Sequence, residues 1–276
     1  MQAHVTTDFA SYDAAVAAFL ARDPVGNTVL LTIAGVLRAG GSYDAGEPWF
    51  AWVTDDDGAA VGAVARTPPY LVAVAAMPDG PATALGAALS GHDLLGAVGS
   101  PDAVAAFARG AGRRHTVRMR EVQHVLREVV RPAPVEGEAR HYTPEDGARY
   151  VAWMEGFHAE AGLLVHGDAM RSLAQRLSTG GALWLWWVGS EPVCMVGRSA
   201  PVAGVPRIGP VWTPPEHRRR GYAAALTAHV CTGALAAGAS ACTLFADEAN
   251  ATANGVYRRI GFTPAARAVE AVFHQS

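Results

Sequence analysis

The chain has 276 residues, of which 50% are hydrophobic and 17% charged, with a formal net charge of −3. This composition is typical of a globular protein rather than a disordered one, and the weakly acidic charge gives no reason to expect a nucleic-acid partner. All 22 basic residues are arginines, which excludes lysine chemistry such as a Schiff base.

The three cysteines, Cys194, Cys231 and Cys242, lie in apolar stretches and form no Cys-x-x-Cys pair. We therefore expect buried thiols in a reducing cytoplasm, and with ten scattered histidines we expect no metal site. No apolar run approaches the length of a membrane span, and the N-terminus lacks the basic start of a signal peptide. The sequence predicts a cytoplasmic protein without membrane attachment and leaves its oligomeric state open.

The first half of the chain begins with a predicted helix, because residues 12–22 carry apolar side chains at spacings of three and four. Residues 50–53 and 60–66 are two short apolar runs around an Asp- and Gly-rich turn, which predicts a β-hairpin. Residues 131–138 contain two prolines, a glycine and little apolar content. That composition is typical of a linker and divides the chain into predicted domains at 1–131 and 138–276.

The second half repeats this pattern. A helix is predicted over 144–161, and residues 185–198 form a second hairpin around a Gly- and Pro-containing turn. We interpret the repetition as a duplicated domain; chance similarity between two hairpins is the alternative. The remaining predicted elements are strands 183–188, 193–199 and 206–213, helix 222–237, strand 241–246, helix 250–260 and strand 266–273. This order predicts an α/β (α+β) fold with a mixed, mainly antiparallel sheet flanked by helices.

The segment between the strand ending Val211-Trp212-Thr213 and the helix beginning at Tyr222 carries the strongest chemical signal. It contains two prolines, then Arg218-Arg219-Arg220-Gly221. The first amides of a helix lack intrahelical partners, and the helix dipole favours negative charge there. Gly221 permits a close backbone approach, and arginines add charge-assisted hydrogen bonds. The segment predicts a site for a phosphate or pyrophosphate; a solvated basic surface is the alternative.

A second polar group follows on the next predicted helix. Asn250, Asn254 and Tyr257 are separated by four and three residues, which places them on one helix face. Two amides and a phenol suit an extended, amide-bearing cofactor. The alternative is that Asn250 caps the helix and Tyr257 packs at its rim.

With these two motifs, residues 138–276 resemble the GNAT N-acetyltransferase superfamily. Its signature Gln/Arg-x-x-Gly-x-Gly/Ala is met by Arg218, Gly221 and Ala223. The resemblance implies the GNAT fold and acetyl-CoA (coenzyme A) as co-substrate, with Tyr257 protonating the leaving thiolate. The cofactor-binding residues it implies are Val211, Trp212, Thr213, Arg218, Arg219, Arg220, Gly221, Tyr222, Ala223, Asn250, Asn254 and Tyr257.

The activity implied by this resemblance is direct transfer of an acetyl group from acetyl-CoA to a primary amine of a small molecule or peptide. The general base is not readable, because residues 207–210 contain no carboxylate. Glu155 and His158 are candidates for the acceptor site, against the alternative of a solvated helix face. A non-catalytic coenzyme A sensor with the same fold is the alternative function.

The first half lacks the corresponding motifs. Where its cofactor loop is expected, residues 76–81 contain Asp79 and no arginine, and Asp79 would repel a pyrophosphate. Phe107 stands where a tyrosine is expected. We therefore predict that residues 1–131 form a degenerate copy of the fold that does not bind coenzyme A. Shaping the acceptor pocket is one role expected for it, and a purely structural role is the alternative.

Overall fold

The computed structural model describes residues 1–43, 46–161 and 183–274. It divides into two compact units. Unit 1 comprises residues 1–123, 245–249 and 265–276, and unit 2 comprises residues 124–244 and 250–264. Among the described residues, both chain halves contain a strand, helical structure, three strands, a helix, a strand, a helix and a last strand, in that order; the first helical part consists of two helices in the first half and one described helix in the second.

The described residues of the first half form ten helices and strands. They are β1 (Gln2–Thr6), α1 (Phe9–Leu20), α2 (Thr28–Arg38), β2 (Trp49–Thr54), β3 (Ala60–Arg66), β4 (Val72–Val74), α3 (Asp79–Ala88), β5 (Gly96–Gly99), α4 (Pro101–Gly110) and β6 (Arg114–Leu126). The predicted first helix and hairpin are confirmed, since Asp8 caps α1 with its carboxylate and Gly58 adopts a φ of 81° in the turn between β2 and β3.

The second half begins with β7 (Glu138–His141). The described elements that follow are α5 (Gly147–Ala161), β8 (Leu183–Val188), β9 (Glu191–Arg198), β10 (Ile208–Trp212), α6 (Tyr222–Ala236), β11 (Cys242–Asp247), α7 (Ala251–Arg259) and β12 (Thr263–His274). Each predicted strand and helix in these ranges is confirmed, with ends displaced by no more than a few residues. Glycines with positive φ, Gly238 and Gly261, follow α6 and α7 as expected of helix ends.

The strands form two sheets. The larger has the order β1-β2-β3-β4-β5-β12-β6-β11, and the smaller has the order β10-β9-β8-β7. Pairing is antiparallel between most described neighbours, while β4 and β5 run parallel. The predicted mixed, mainly antiparallel sheet flanked by helices is therefore confirmed.

Each unit includes the last strand segment of the other chain half. In unit 1, Val269–Val272 of β12 pair with Gly96–Gly99 of β5. In unit 2, the end of β6 is held by side chains: Thr243 donates to the His124 carbonyl at 2.9 Å, and Thr263 donates to the Val125 carbonyl at 3.4 Å. Each compact unit therefore contains segments from both halves of the chain, although the main division, between residues 123 and 124, lies close to the linker.

Each unit has its own core, which fixes the positions of its helices. In unit 1, α3 and α4 approach closely at glycines, because a Cβ at Gly86 would lie 2.1 Å from the Phe107 carbonyl oxygen. In unit 2, α5 packs its aromatic side chains onto the smaller sheet in a cluster of Tyr150, Trp153, Met154, Leu183, Leu185 and Met195. Burial of these side chains contributes about 1.5–3 kcal/mol each, which fixes α5 against β8, β9 and β10.

Candidate functional site

Strand β10 has a free edge. It is the end strand of the smaller sheet and pairs on one side with β9. The register slips between Ile208 and Val211, where two residues of β10 oppose one of β9 in a bulge. On the other side, a single bridge joins Arg207 to Thr243, and residues 208–212 have no further backbone partner in the part of the chain that the structure describes. Such an edge is a template for an extended ligand with amide groups.

The loop after β10 has open amides. His217 and Arg218 donate their backbone N–H groups to Pro214 and Pro215, and the next backbone bond is from Ala225 to the Gly221 carbonyl. Between them, the amides of residues 219–224 have no partner among the described residues. A run of amides at the start of a 15-residue helix, α6, is an arrangement that binds phosphate groups.

The loop holds two left-handed residues. Arg219 has a φ of 61° and Gly221 a φ of 88°. Glycine accepts this region without steric penalty, whereas arginine rarely adopts it. A Cβ at Gly221 would also lie 2.8 Å from Cγ1 of Val135. The structure favours glycine at position 221 for two reasons: the positive φ of the backbone and the short distance to Val135.

The three predicted arginines differ in their contacts. Arg218 donates from Nε to the Thr213 carbonyl at 2.9 Å and pairs through Nη2 with Glu160 of α5 at 2.5 Å. Arg220 donates to the Glu216 carbonyl at 3.2 Å, while Arg219 has no hydrogen bond or ion pair within the described ranges. Arg218 therefore braces the loop against β10 and α5, and Arg219 is the guanidinium most open to an anion.

The three predicted polar residues of α7 do not share one environment. Asn250 is exposed and caps the helix, because its Oδ1 accepts the Ala253 N–H at 3.0 Å. Asn254 and Tyr257 are both 8% exposed. The capping alternative stated for Asn250 thus describes its observed contact, and the buried pair forms a separate feature.

Burial raises the pKa of the Tyr257 phenol, and nearby Cys194 and Cys231 act in the same direction. The Cys194 sulfur accepts a hydrogen bond from Oγ1 of Thr213 at 3.3 Å, which connects the surroundings of Tyr257 with the end of β10. Burial raises the pKa of Cys194 to about 12, so its thiol stays neutral near pH 7. Tyr257 is therefore a protonated phenol in a weakly polar setting.

The predicted acceptor residues lie on α5 but differ in accessibility. Glu155 is exposed and has no hydrogen bond or ion pair among the described residues. His158 is buried, its Nδ1 donates to the Met154 carbonyl at 2.7 Å, and burial lowers its pKa. The helix passes next to β10, since a Cβ at Gly156 would lie 2.7 Å from the Trp212 ring. The Trp212 ring packs against the aromatic core, so its side chain is not available to a ligand. Its backbone lies on the edge strand β10 and is the part that a ligand could contact.

Sequence reasoning missed two contacts of this site. His124, at the end of β6, contacts Asn254 through its Nε2 at 2.8 Å, and Glu160 contacts Arg218. Neither residue belongs to a local motif around its partner, so no spacing or composition signal could have identified the pairs.

The described residues contain no group of three or more His, Cys, Asp or Glu side chains arranged for a metal ion. Within the same ranges, none of the helices combines the length and hydropathy that a membrane span requires.

Residues 148–262 match the family model described as the acetyltransferase (GNAT) family. Among solved structures, a GNAT-family acetyltransferase from Colwellia psychrerythraea has a TM-score of 0.63 at 12% identity, covering 99% of this chain and 100% of that chain. A GCN5-related N-acetyltransferase from Sphaerobacter thermophilus gives 0.63 at 20% identity, covering 99% and 95%. A tandem GNAT protein from the clavulanic acid biosynthesis pathway gives 0.58 at 16% identity, covering both chains fully. No curated protein sequence matches the chain. The structural similarities, all at low identity, establish the fold.

Proposed function

We propose that this chain is a member of the GNAT superfamily and that its residues 138–276 transfer an acetyl group from acetyl-CoA to a primary amine of a small molecule or peptide. Acyl transfer is the chemistry of this family. The observation that carries the finer proposal is the open amide run at 219–224, which lies where the free-edged strand β10 leads into α6.

The chemical groups of coenzyme A fit these two features. Its diphosphate would occupy the amide run, where the helix dipole contributes about 0.3–1 kcal/mol and each charge-assisted hydrogen bond about 1.5–3 kcal/mol. Arg219 and Arg220 are exposed beside that run. The amide-bearing arm would pair with the free edge of β10, as an added strand does. Residues 1–131 are proposed not to bind the cofactor, because Asp79 stands at the start of α3 and residues 76–81 contain no arginine.

Tyr257 is proposed to act as a hydrogen-bond donor to the leaving sulfur. A thiol has a pKa of about 8.5 and a phenol of about 10, so complete transfer of the phenolic proton to a thiolate is uphill by about 2 kcal/mol at the reference values. Burial raises the pKa of Tyr257 further. The phenol therefore stabilises the developing negative charge mainly by sharing its proton, with final protonation of the thiolate from solvent.

The thioester supplies an activated acyl group, and the chain supplies position and polarity. A backbone N–H on the free edge of β10 can polarise the acyl oxygen, and holding the amine beside the carbon accounts for much of the acceleration. The amine must arrive neutral. Glu155 is the proposed proton acceptor, because its carboxylate is exposed whereas Nδ1 of His158 is already bonded to Met154.

A coenzyme A sensor without activity is the second candidate. It is favoured by two observations: strand β10 (Ile208–Trp212) carries no carboxylate, and His158 is enclosed. Calorimetry with acetyl-CoA and a thiol-release assay with a panel of primary amines separate the two. Binding with thiol release is expected. Binding without release for every amine favours the sensor, and absence of binding at low salt rejects both functions.

A further inference from the structure

His124 lies at the end of β6, in the first half of the chain, yet its ring contacts the second-half motif. Its Nε2 is 2.8 Å from Oδ1 of Asn254, and His124 is 2% exposed. The amide orientation is fixed, because Nδ2 of Asn254 donates to the Asn250 carbonyl at 2.8 Å. Since an amide oxygen only accepts hydrogen bonds, Nε2 of His124 carries the proton.

The other ring nitrogen is consequently an acceptor in the neutral histidine. Nδ1 of His124 is enclosed and has no hydrogen-bond partner among the described residues. Buried polar atoms are nearly always paired in folded proteins, and those that are not call for an explanation. The ring also lies beside Tyr257, with 6.2 Å between ring centroids and an angle of 53° between the planes.

The corresponding positions of unit 1 show that the fold does not need these polar groups. Asn254 and Tyr257 are the fourth and seventh residues of α7, and Val104 and Phe107 are the fourth and seventh of α4. His124 and Phe273 each lie fourteen residues after the preceding helix ends, at Gly110 and Arg259. Phe107 packs on Phe273, also with 6.2 Å between ring centroids. Unit 1 thus fills with apolar side chains the place where unit 2 has His124, Asn254 and Tyr257.

We infer that His124 is a positioning residue of the acyl-transfer site, holding the Asn254 amide and the Tyr257 ring in the orientation that the thioester requires. The inference rests on the proposed function. It also assigns a task to the first half of the chain, which supplies this side chain through β6. A hydrogen-bond donor of the bound acetyl-CoA is the partner expected for Nδ1.

The test uses the full-length chain and measures kcat, KM for acetyl-CoA, calorimetric affinity and the melting temperature. His124→Phe copies unit 1 and removes the hydrogen bond to Asn254. We expect kcat to fall by about tenfold or more while the affinity changes by less than about threefold. His124→Gln keeps an N–H at a similar distance from the backbone and should recover most of kcat.

Thr243→Val is the matched control, because Thr243 binds the backbone carbonyl of His124 and leaves the ring untouched. It should lower the melting temperature with kcat within about twofold of wild type. If His124→Phe fails to fold, His124→Asn replaces it, since the shorter amide cannot reach Asn254. Its kcat should then fall as described for phenylalanine.

The outcomes are distinguishable. Wild type that binds acetyl-CoA but releases no thiol with any amine overturns the proposed function and this inference with it. If wild type is active and the folded His124→Phe variant has an unchanged kcat, the role of His124 is overturned and the proposed function stands. The same holds for His124→Asn where it replaces the phenylalanine variant. Equal losses of kcat in that variant and in Thr243→Val, without rescue by His124→Gln, reduce His124 to a purely structural residue and also overturn the inference.

Discussion

The two halves of the chain differ most in one connection, which runs from β4 to α3 in the first half and from β10 to α6 in the second. In the first half, the short turn from β4 to α3 bonds two of its amides internally: Ala75 donates to the Ala63 carbonyl and Ala76 to Oδ1 of Asn27 at 2.9 Å. Helix α3 then begins with Asp79, which pairs with Arg109 at 3.1 Å. In the second half the loop is longer, carries three arginines and leaves its amides open. The fold therefore forms without an arginine-rich loop at this position, and this difference supports the proposed anion site in the second half.

The same lesson holds for the last helix of each half. Val104 and Phe107 of α4 are fully buried in an apolar core, whereas Asn254 and Tyr257 of α7 keep polar atoms at the same helical positions. Packing alone is satisfied by the apolar set. The polar set therefore supports the proposed ligand site in the second half, and the following predictions test that difference.

The largest expected difference is the presence of a site in only one half. Titration with acetyl-CoA should saturate at one equivalent per chain, because a carboxylate at the start of α3 disfavours an anion that the amides at 219–224 favour. Isothermal calorimetry measures the stoichiometry. Two equivalent sites per chain would contradict the proposed division of the halves.

Tyr257→Phe should lower kcat by about a hundredfold, with acetyl-CoA affinity within about twofold of wild type, since the lost hydrogen bond acts on the leaving sulfur. The matched control is Tyr12→Phe in the first half, which removes a buried hydroxyl that has no hydrogen-bond partner among the described residues. It should leave kcat unchanged. Because burial raises the pKa of Tyr257, its ionisation should cause no decline in rate below about pH 10. Equal losses in kcat and affinity would reject its proposed role.

Gly221→Ala should weaken acetyl-CoA binding by about tenfold, since a left-handed residue with a side chain is strained by about 1–2 kcal/mol. The added Cβ also meets Val135. The control is Gly233→Ala in the same helix, at an exposed position with no atom within 4 Å of the added group. That variant should gain about 0.5–1 kcal/mol in unfolding free energy and bind normally. Unaltered binding by Gly221→Ala would exclude close backbone approach at this loop.

The smallest expected effect concerns His158. Burial lowers its pKa, so the unfolded chain takes up the proton at a higher pH than the folded protein does. The stability contributed by the neutral ring is present above about pH 6.5 and is lost as the pH falls through that value toward the folded pKa. His158→Gln should flatten the decline of melting temperature between about pH 7 and 5, while His229→Gln, at an exposed position of α6, should not. Identical slopes in all three proteins would contradict the assignment.

Much of the candidate site could be predicted because its determinants are close in sequence. The helix start at Tyr222, the glycine before it and the cap at Asn250 each depend on hydrogen bonds or backbone conformations within a few residues. The contacts of Arg218 could not be predicted in this way, since Glu160 is 58 residues away. The exposed and buried locations of Glu155 and His158 likewise depend on how α5 packs.

The order of elements, the mainly antiparallel fold and the open-amide loop follow from local sequence patterns, because periodicity and capping act over one or two turns of chain. The assignment of each last strand to a compact unit, and the contact of His124 with Asn254 across 130 residues, arise from tertiary packing. The physical reason is that strand pairing and burial select partners by fit in space, and that selection leaves no local pattern in the chain.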